Sequence, residues 1–296
     1  MGGSREQEGG VHIGFVGLGQ MGAAMVPHLA AAEYHVIGHD LVRPSPIPDG
    51  VEFTSDLARL AKCDVIITML PDGDVVRHVI LELVAKGCTA LIIDMSSSHP
   101  DGSRDLAAIL SSAGLSYVDA PVSGGVSRAA SATLMIMAGG DQQAVAEAMP
   151  VLSCMGRVSH LGAAGCGHAM KALNNYVSAA GLIASFQAVA TARDFGIAPD
   201  RFLEVINHAT GRNNTTEVKI DRFVLTEAFN SGFALALMEK DVTIAADLMS
   251  DAGYDGPVSA AVLGYLRAGL ARLGADADHT ELFRYLTGER HPPKLD

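Results

Sequence analysis

The sequence predicts an α/β fold, a doubly wound and mainly parallel sheet followed by an all-α carboxyl-terminal domain. Three observations carry this expectation. Short β-type runs alternate with helical patterns through the first half of the chain; several runs are apolar throughout (VIITML at 65–70, ALIID at 90–94), as strands covered on both faces must be; and strand signals stop after Leu161. With 296 residues, 49% hydrophobic and 18% charged, the chain can build two ordinary domains, and disorder, collagen and a small disulfide scaffold are excluded.

In order along the chain, residues 1–10 (MGGSREQEGG) are polar and glycine-rich, and read as a disordered or vector-derived tail. Strands are expected at 12–16, 35–39, 51–53, 65–70, 91–94, 117–120, 134–138 and 158–161, separated by amphipathic or turn-rich segments. A glycine-rich joint (GAAGCG, 162–167) then leads into a long Ala-rich helix reaching residue 195, with further helices at 199–207, 235–250, 257–273 and near 280–286. The expected domains are therefore 11–164 and 165–296.

The uncharged run 172–192 is as long as a bilayer-crossing helix, but it carries Asn174, Asn175, Ser178, Ser185, Gln187 and Thr191, which lipid cannot pair. It reads as a helix buried in protein, and no membrane partner is expected. A net charge of −12 without a basic patch opposes nucleic-acid binding. Cys63, Cys88, Cys154 and Cys166 form no CxxC pair, so neither zinc nor a disulfide framework is expected, and a reducing, cytoplasmic location is. Eleven histidines include no HExxH, and no metal site is expected.

Gly17-Leu18-Gly19-Gln20-Met21-Gly22 fits GxGxxG between a strand and a helix, the context that makes this a Rossmann-type dinucleotide-binding turn. Gly17 permits the tight turn, Gly19 lets backbone approach a pyrophosphate, and Gly22 allows close packing of helix on strand, while the helix amino end offers N–H groups to phosphate. Asp40, 18 residues beyond Gly22 at the end of the second strand, suits the adenosine ribose hydroxyls and repels a 2'-phosphate. NAD is thus expected over NADP, although Arg43 is close enough in sequence to neutralise such a phosphate. Further strand ends supply Leu70 and Pro71 as walls of the ribose-nicotinamide channel and Ser96 or Ser97 near the nicotinamide; Ser98 reads as the cap of a helix starting around 99–100.

Four segments, GFVGLGQMG (14–22), DAPVSGG (119–125), GHAMKALNN (167–175) and GFALALMEKD (232–241), resemble the signatures of the β-hydroxyacid dehydrogenases, the family of 3-hydroxyisobutyrate dehydrogenase and tartronate semialdehyde reductase, in order and spacing. The resemblance implies that Ser123 with the backbone of Gly124 and Gly125 holds the substrate carboxylate, that Phe233 approaches the nicotinamide, and that Lys240 approaches cofactor and substrate. It also implies a helical domain that mediates homodimers or homotetramers. The loop departs from the family pattern at Arg128-Ala129 and Ala132-Thr133-Leu134, which leaves Arg128 either facing a second acidic group or solvated. Arg212 and Asn213, in a polar cluster, either read the far end of the substrate or form a plain turn.

Lys171 is the expected general acid/base: the chain has six lysines, and this one opens the uncharged helix. Asn175 lies at i+4 on the same face and can orient the same substrate oxygen. An amine near neutral pH needs its usual value of ~10.4 lowered, which burial, a nicotinium ring and Lys240 can supply. Phe233 and Lys240, seven residues apart, would share a face of a continuous helix. The expected activity is NAD-dependent, reversible hydride transfer between a small 3-hydroxy acid and nicotinamide. The alternative is a non-enzymatic dinucleotide sensor or scaffold, which would be expected to lack the lysine or carry a basic region.

Overall fold

The computed structural model describes residues 10–288, so the expected amino-terminal tail, apart from Gly10, lies outside the described residues. The chain divides into two compact units, the first ending at Lys171 and the second beginning at Ala172.

In the first unit, β1 (His12–Val16), α1 (Gln20–Ala31), β2 (His35–His39) and β3 (Val51–Thr54) are followed by a 3-10 turn at Leu57–Lys62. Next come β4 (Val65–Thr68), α2 (Gly73–Ala85), β5 (Leu91–Asp94), α3 (Pro100–Ser112) and β6 (Tyr117–Asp119). The unit is completed by β7 (Val122–Ser123), α4 (Gly125–Ala130), β8 (Leu134–Gly140), α5 (Gln142–Ser153), β9 (Gly156–His160) and the opening of α6 (Cys166–Asp194).

The sheet runs β3-β2-β1-β4-β5-β6-β8-β7, with β9 beside β8. Strands β1 to β6 are parallel, while β8 is antiparallel to β6 and β7. Strand order reverses between β1 and β4, the switch point outside which ligands of such sheets bind. Register aligns the strand ends across this edge: His39 beside Val16, Val16 beside Thr68, Thr68 beside Asp94, Asp94 beside Asp119.

Alternation sends Ile13, Phe15, Ile67 and Ile93 into one core with Met25 and Leu29 of α1. Val16, Ile66 and Ile92 enter another core with Ile80 and Leu83 of α2 and Leu106 and Leu110 of α3. Each such side chain contributes about 1.5–3 kcal/mol on burial. The apolar runs in the sequence are this two-sided burial. Two residues of DAPVSGG forming β7 are too few to show any alternation in sequence. The expected Ser98 cap is replaced by His99, whose Nδ1 accepts from Asp101 N at 3.3 Å; Ser98 instead turns inward, its Oγ donating to Asp94 Oδ2 at 3.2 Å.

The second unit holds the rest of α6, α7 (Pro199–Asn207), a π-helical segment Thr215–Val224, α8 (Leu235–Asp251), α9 (Pro257–Leu273), a 3-10 turn His279–Glu281 and α10 (Leu282–Thr287). Leu182, Phe186, Ile220, Met238, Leu266 and Phe283 sit in its core, Phe186 and Phe283 packing edge to face at 5.4 Å. Periodicity at 3.6 residues does not reveal the π-helix, whose bonds span five residues, as Leu225 N to Ile220 O at 2.9 Å. Two polar side chains of this part of α6 have partners inside this unit, Asn175 with Asp241 and Ser185 with Asn213. Among the described residues, no helix is long and apolar enough to cross a membrane.

Candidate active site

The glycine turn after β1 has the geometry a dinucleotide needs. Gly17 adopts φ +100°, and a side chain there would strike the Met69 carbonyl. A Cβ on Gly22 would be driven into the Gly17 carbonyl, so α1 can pack this closely only with hydrogen in that place. Gly19 is the reverse case: a Cβ there meets nothing within 4 Å, and the open space is the approach a pyrophosphate requires. Gly19 caps α1 without any side-chain hydrogen bond, so no side chain competes with an anion for the N–H groups of the first turn.

Leu18 is buried, Met21 half-buried against the core and Gln20 exposed. Asp40 is tied to this turn, its Oδ2 accepting from Leu18 N at 2.7 Å and its Oδ1 from Val42 N at 3.1 Å. Arg43 lies over the Phe53 ring at 5.3 Å. Leu70 packs beside Gly17 and its N–H donates to Ser96 Oγ at 2.9 Å, while Pro71 is exposed and Ser97 half-buried. These residues fit an adenine-ribose-pyrophosphate group. We expect Gly22→Ala to destabilise the protein by about 1–3 kcal/mol through overpacking, and Gly19→Ala to leave stability within ~0.5 kcal/mol while weakening dinucleotide affinity. Thermal denaturation and cofactor titration of both variants check this.

Below the same sheet edge lies a buried polar network that the sequence motifs do not announce. His168 is 1% exposed: its Nδ1 lies 2.7 Å from Ser103 Oγ, and its Nε2 donates to the Ser96 carbonyl at 3.2 Å. Two carboxylates flank the ring, Asp119 Oδ2 3.7 Å from Nδ1 and Asp94 Oδ2 3.8 Å from Nε2. Asp119 accepts the backbone N–H groups of Gly165 at 2.7 Å and His168 at 2.9 Å. Burial pushes its carboxyl above the ordinary value, opposed by the His168 imidazole and these N–H donors. Asp94 accepts from Thr68 Oγ1 at 2.9 Å and Ser96 N at 3.0 Å. The first turn of α6 is therefore bolted to the ends of β5 and β6, and Lys171 follows His168 by three residues. The sequence signals were an Asp closing each of two apolar strands (LIID, YVD) and a histidine inside the lysine motif, but nothing local joins them.

Ser123 is half-buried at the end of β7, beside Met135 of β8. Gly124 (φ +137°) and Gly125 (φ +66°) turn the chain into α4, with the Arg128 side chain lying where a Gly124 Cβ would be. Arg128 itself is exposed. The departure at Ala132 has a structural trace, because this non-glycine residue holds φ +53°.

In the second unit Asn175 is buried, its Nδ2 donating to Asp241 Oδ2 at 2.6 Å and its Oδ1 accepting from Asn174 at 3.1 Å. Both contacts set the amide's direction. Lys240 Nζ stands 4.0 Å from Asp241 Oδ1. Phe233 does not share a helix with Lys240, because α8 starts only at Leu235. The Phe233 carbonyl accepts from His279 N at 3.0 Å and Ala234 bridges to Asp278, so pairing holds this stretch extended; the Phe233 ring meets the His279 ring edge-on at 5.5 Å. Arg212 is exposed and pairs with Glu217 at 3.6 Å, whereas Asn213 joins Ser185 and its Oδ1 accepts from Thr215 N at 2.8 Å at the start of the π-helical segment. The thiols are free, and burial pushes Cys63 up to about 11.

Comparison with known proteins identifies the family. Residues 12–166 match the family described as the NAD binding domain of 6-phosphogluconate dehydrogenase, and residues 165–286 that described as NAD-binding of NADP-dependent 3-hydroxyisobutyrate dehydrogenase. A probable 3-hydroxyisobutyrate dehydrogenase of Mycobacterium tuberculosis is 38% identical over 261 residues, covering 83% of this chain and 88% of the relative. The 2-(hydroxymethyl)glutarate dehydrogenase of Eubacterium barkeri is 31% identical over 262 residues, covering 86% of this chain and 87% of the relative. The solved Mycobacterium tuberculosis 3-hydroxyisobutyrate dehydrogenase with L-serine superposes with a TM-score of 0.83 at 34% identity, covering 94% of this chain and 99% of that one. The chain belongs to the β-hydroxyacid dehydrogenase family, NAD(P)-dependent oxidoreductases that act on a CH–OH group.

Proposed function

We propose that the protein oxidises a small 3-hydroxy acid reversibly with NAD, with Lys171 as general acid/base. The observation that carries this reading is the bolting of the first turn of α6 to Asp119, Asp94 and Ser96, which fixes Lys171 three residues past the buried His168. In the proposal residues 11–164 hold the dinucleotide through Gly17, Leu18, Gly19, Gln20, Met21, Gly22, Asp40, Leu70, Pro71 and Ser97, with Phe233 and Lys240 contributing from residues 165–296. When bound, the nicotinamide supplies the hydride acceptor. Ser123 Oγ and the N–H groups of Gly124 and Gly125 hold the substrate carboxylate, a concavity that the positive φ values of both glycines support. Lys171 Nζ takes the hydroxyl proton as the carbonyl forms and returns it in the reverse direction. Asn175, its amide held by Asp241 and Asn174, keeps one N–H and one lone pair to orient the same oxygen.

The panel that tests this follows nicotinamide absorbance with 3-hydroxyisobutyrate, L-serine and 2-(hydroxymethyl)glutarate, compounds that relatives' names or bound states suggest. Turnover of any supports the enzyme, and NAD binding without turnover across the panel sinks it in favour of a sensor. NAD preference rests on Asp40. Asp40→Asn keeps an acceptor for Leu18 N but removes the charge, and is expected to shift the NAD:NADP ratio of kcat/KM toward NADP by about tenfold or more; an unmoved ratio would assign the preference elsewhere.

Homo-oligomerisation through the helical unit and a cytoplasmic location belong to the same proposal. The first is supported by Met170, Leu173 and Val177, exposed at i, i+3 and i+7 of α6, and by the exposed Val258 of α9. The second is supported by four free thiols.

A further inference from the structure

The second unit contains another lysine that the proposed proton transfer leaves unused. Lys219 lies in the middle of the π-helical segment Thr215–Val224, half-buried, and its Nζ donates to Ser178 Oγ at 3.4 Å. Among the described residues this ammonium has no ion-pair partner. The neighbouring carboxylate, Asp278, is taken up by other donors: Oδ1 accepts from Thr280 N at 2.9 Å and Thr280 Oγ1 at 2.6 Å in its own turn, and Oδ2 accepts from Ser231 Oγ at 2.8 Å and Gly232 N at 2.9 Å. His279 brings no second cation, since burial first and the charge of Lys219 second push its pKa down to about 4. Burial also lowers Lys219, to about 8, as expected of a desolvated cation whose charge is incompletely answered. π-Helix is rare, and where it occurs, mostly as single-turn bulges, it is frequently at functional sites.

Position along α6 gives this cation a meaning. Ser178 follows Lys171 by seven residues and Asn175 by three, so all three lie on one stripe of the helix, with Ser178 roughly 10 Å from Lys171 along the axis. The π-helical segment is anchored along the same stripe, through Lys219 to Ser178 and through Asn213 to Ser185, the latter at 2.9 Å. We infer that Lys219 and Ser178 receive a second acidic group at the far end of the substrate, making the preferred substrate a 3-hydroxy acid that carries a second carboxylate a few bonds beyond its hydroxyl carbon. The inference rests on Lys171 marking the reacting end.

The test compares a hydroxy monoacid with a matched hydroxy diacid on wild type, Lys219→Met and Lys219→Arg. Wild type is expected to prefer the diacid. Lys219→Met is expected to lower kcat/KM for the diacid by about 10- to 100-fold, through KM, while the monoacid changes by less than about threefold; Lys219→Arg keeps most of the preference. An unchanged diacid:monoacid ratio in Lys219→Met overturns the inference. Calorimetric titration of the NAD-loaded protein with the diacid gives a readout independent of turnover: binding is expected in wild type and in Lys171→Ala, and is weakened in Lys219→Met. If Lys171→Ala retains turnover but Lys219→Met loses diacid affinity, the acid/base role fails and the anion site stands; if wild type binds the monoacid and not the diacid, the anion site fails alone. Should Lys219→Met fold poorly, Ser178→Ala supplies the second measurement, with a severalfold loss of diacid affinity expected and no loss counting against the site.

Discussion

Replacing Lys171 with Ala is expected to lower turnover of the hydroxy acid by about 100- to 10,000-fold while dinucleotide affinity stays nearly unchanged. At about 1.36 kcal/mol per decade, the loss corresponds to roughly 3–5 kcal/mol of transition-state stabilisation. Alanine is the best helix former, so α6 persists in the variant. The glycine turn proposed to hold the dinucleotide, with its Gly17, Gly19 and Gly22, is untouched, and the loop after β7 proposed to hold the substrate carboxylate keeps its backbone. What disappears is the half-buried amine fixed on the second turn of a helix whose first turn is held by Asp119. Steady-state kinetics paired with a fluorescence titration of reduced cofactor separate these effects. Turnover within a few-fold of wild type would sink the assignment, and an equal fall in cofactor affinity would mean that the lysine mainly holds the dinucleotide.

The largest expected loss of stability comes from Asp119→Ala. Its carboxylate is fully buried and answers two backbone N–H groups and one face of the His168 imidazole. Removing it leaves the N–H groups of Gly165 and His168 without an acceptor in a space that a side chain fills, close against Gly139 and Gly167. Breaking such a buried pair costs about 3–5 kcal/mol, and for a unit of this size each kcal/mol lowers Tm by about 2–4 °C. Asp119→Asn, which restores one acceptor but turns an amide N–H toward the other donor, is expected to fall between wild type and Asp119→Ala. Thermal denaturation followed by circular dichroism checks the order; a Tm for Asp119→Ala within about 2 °C of wild type would show that the network is not a structural anchor.

Features written in contiguous residues were legible without coordinates. The glycine turn, the apolar strands, the proline-started helices Pro199–Asn207 and Pro257–Leu273 and the i+4 spacing of Lys171 and Asn175 each follow from a local rule of backbone geometry or periodicity. Where the sequence misled, a tertiary hydrogen bond had overruled a local preference. Ser98 has the chemistry of a cap, yet Asp94 claims its hydroxyl. Phe233 has the spacing of a helical residue, yet its carbonyl is engaged by His279.

The sequence alone determined every strand of the sheet except β7, to within a few residues, and which turn can face a dinucleotide, because those outcomes depend on neighbours a few positions apart. Only the tertiary structure decided that Asp94, Asp119, Ser103 and His168 converge under the lysine helix, that Asp241 steers Asn175, and that Lys219 reaches Ser178. The physical reason is that parallel register and helix packing bring together groups tens of residues apart. Once buried, those groups must find partners there, since water no longer offers any.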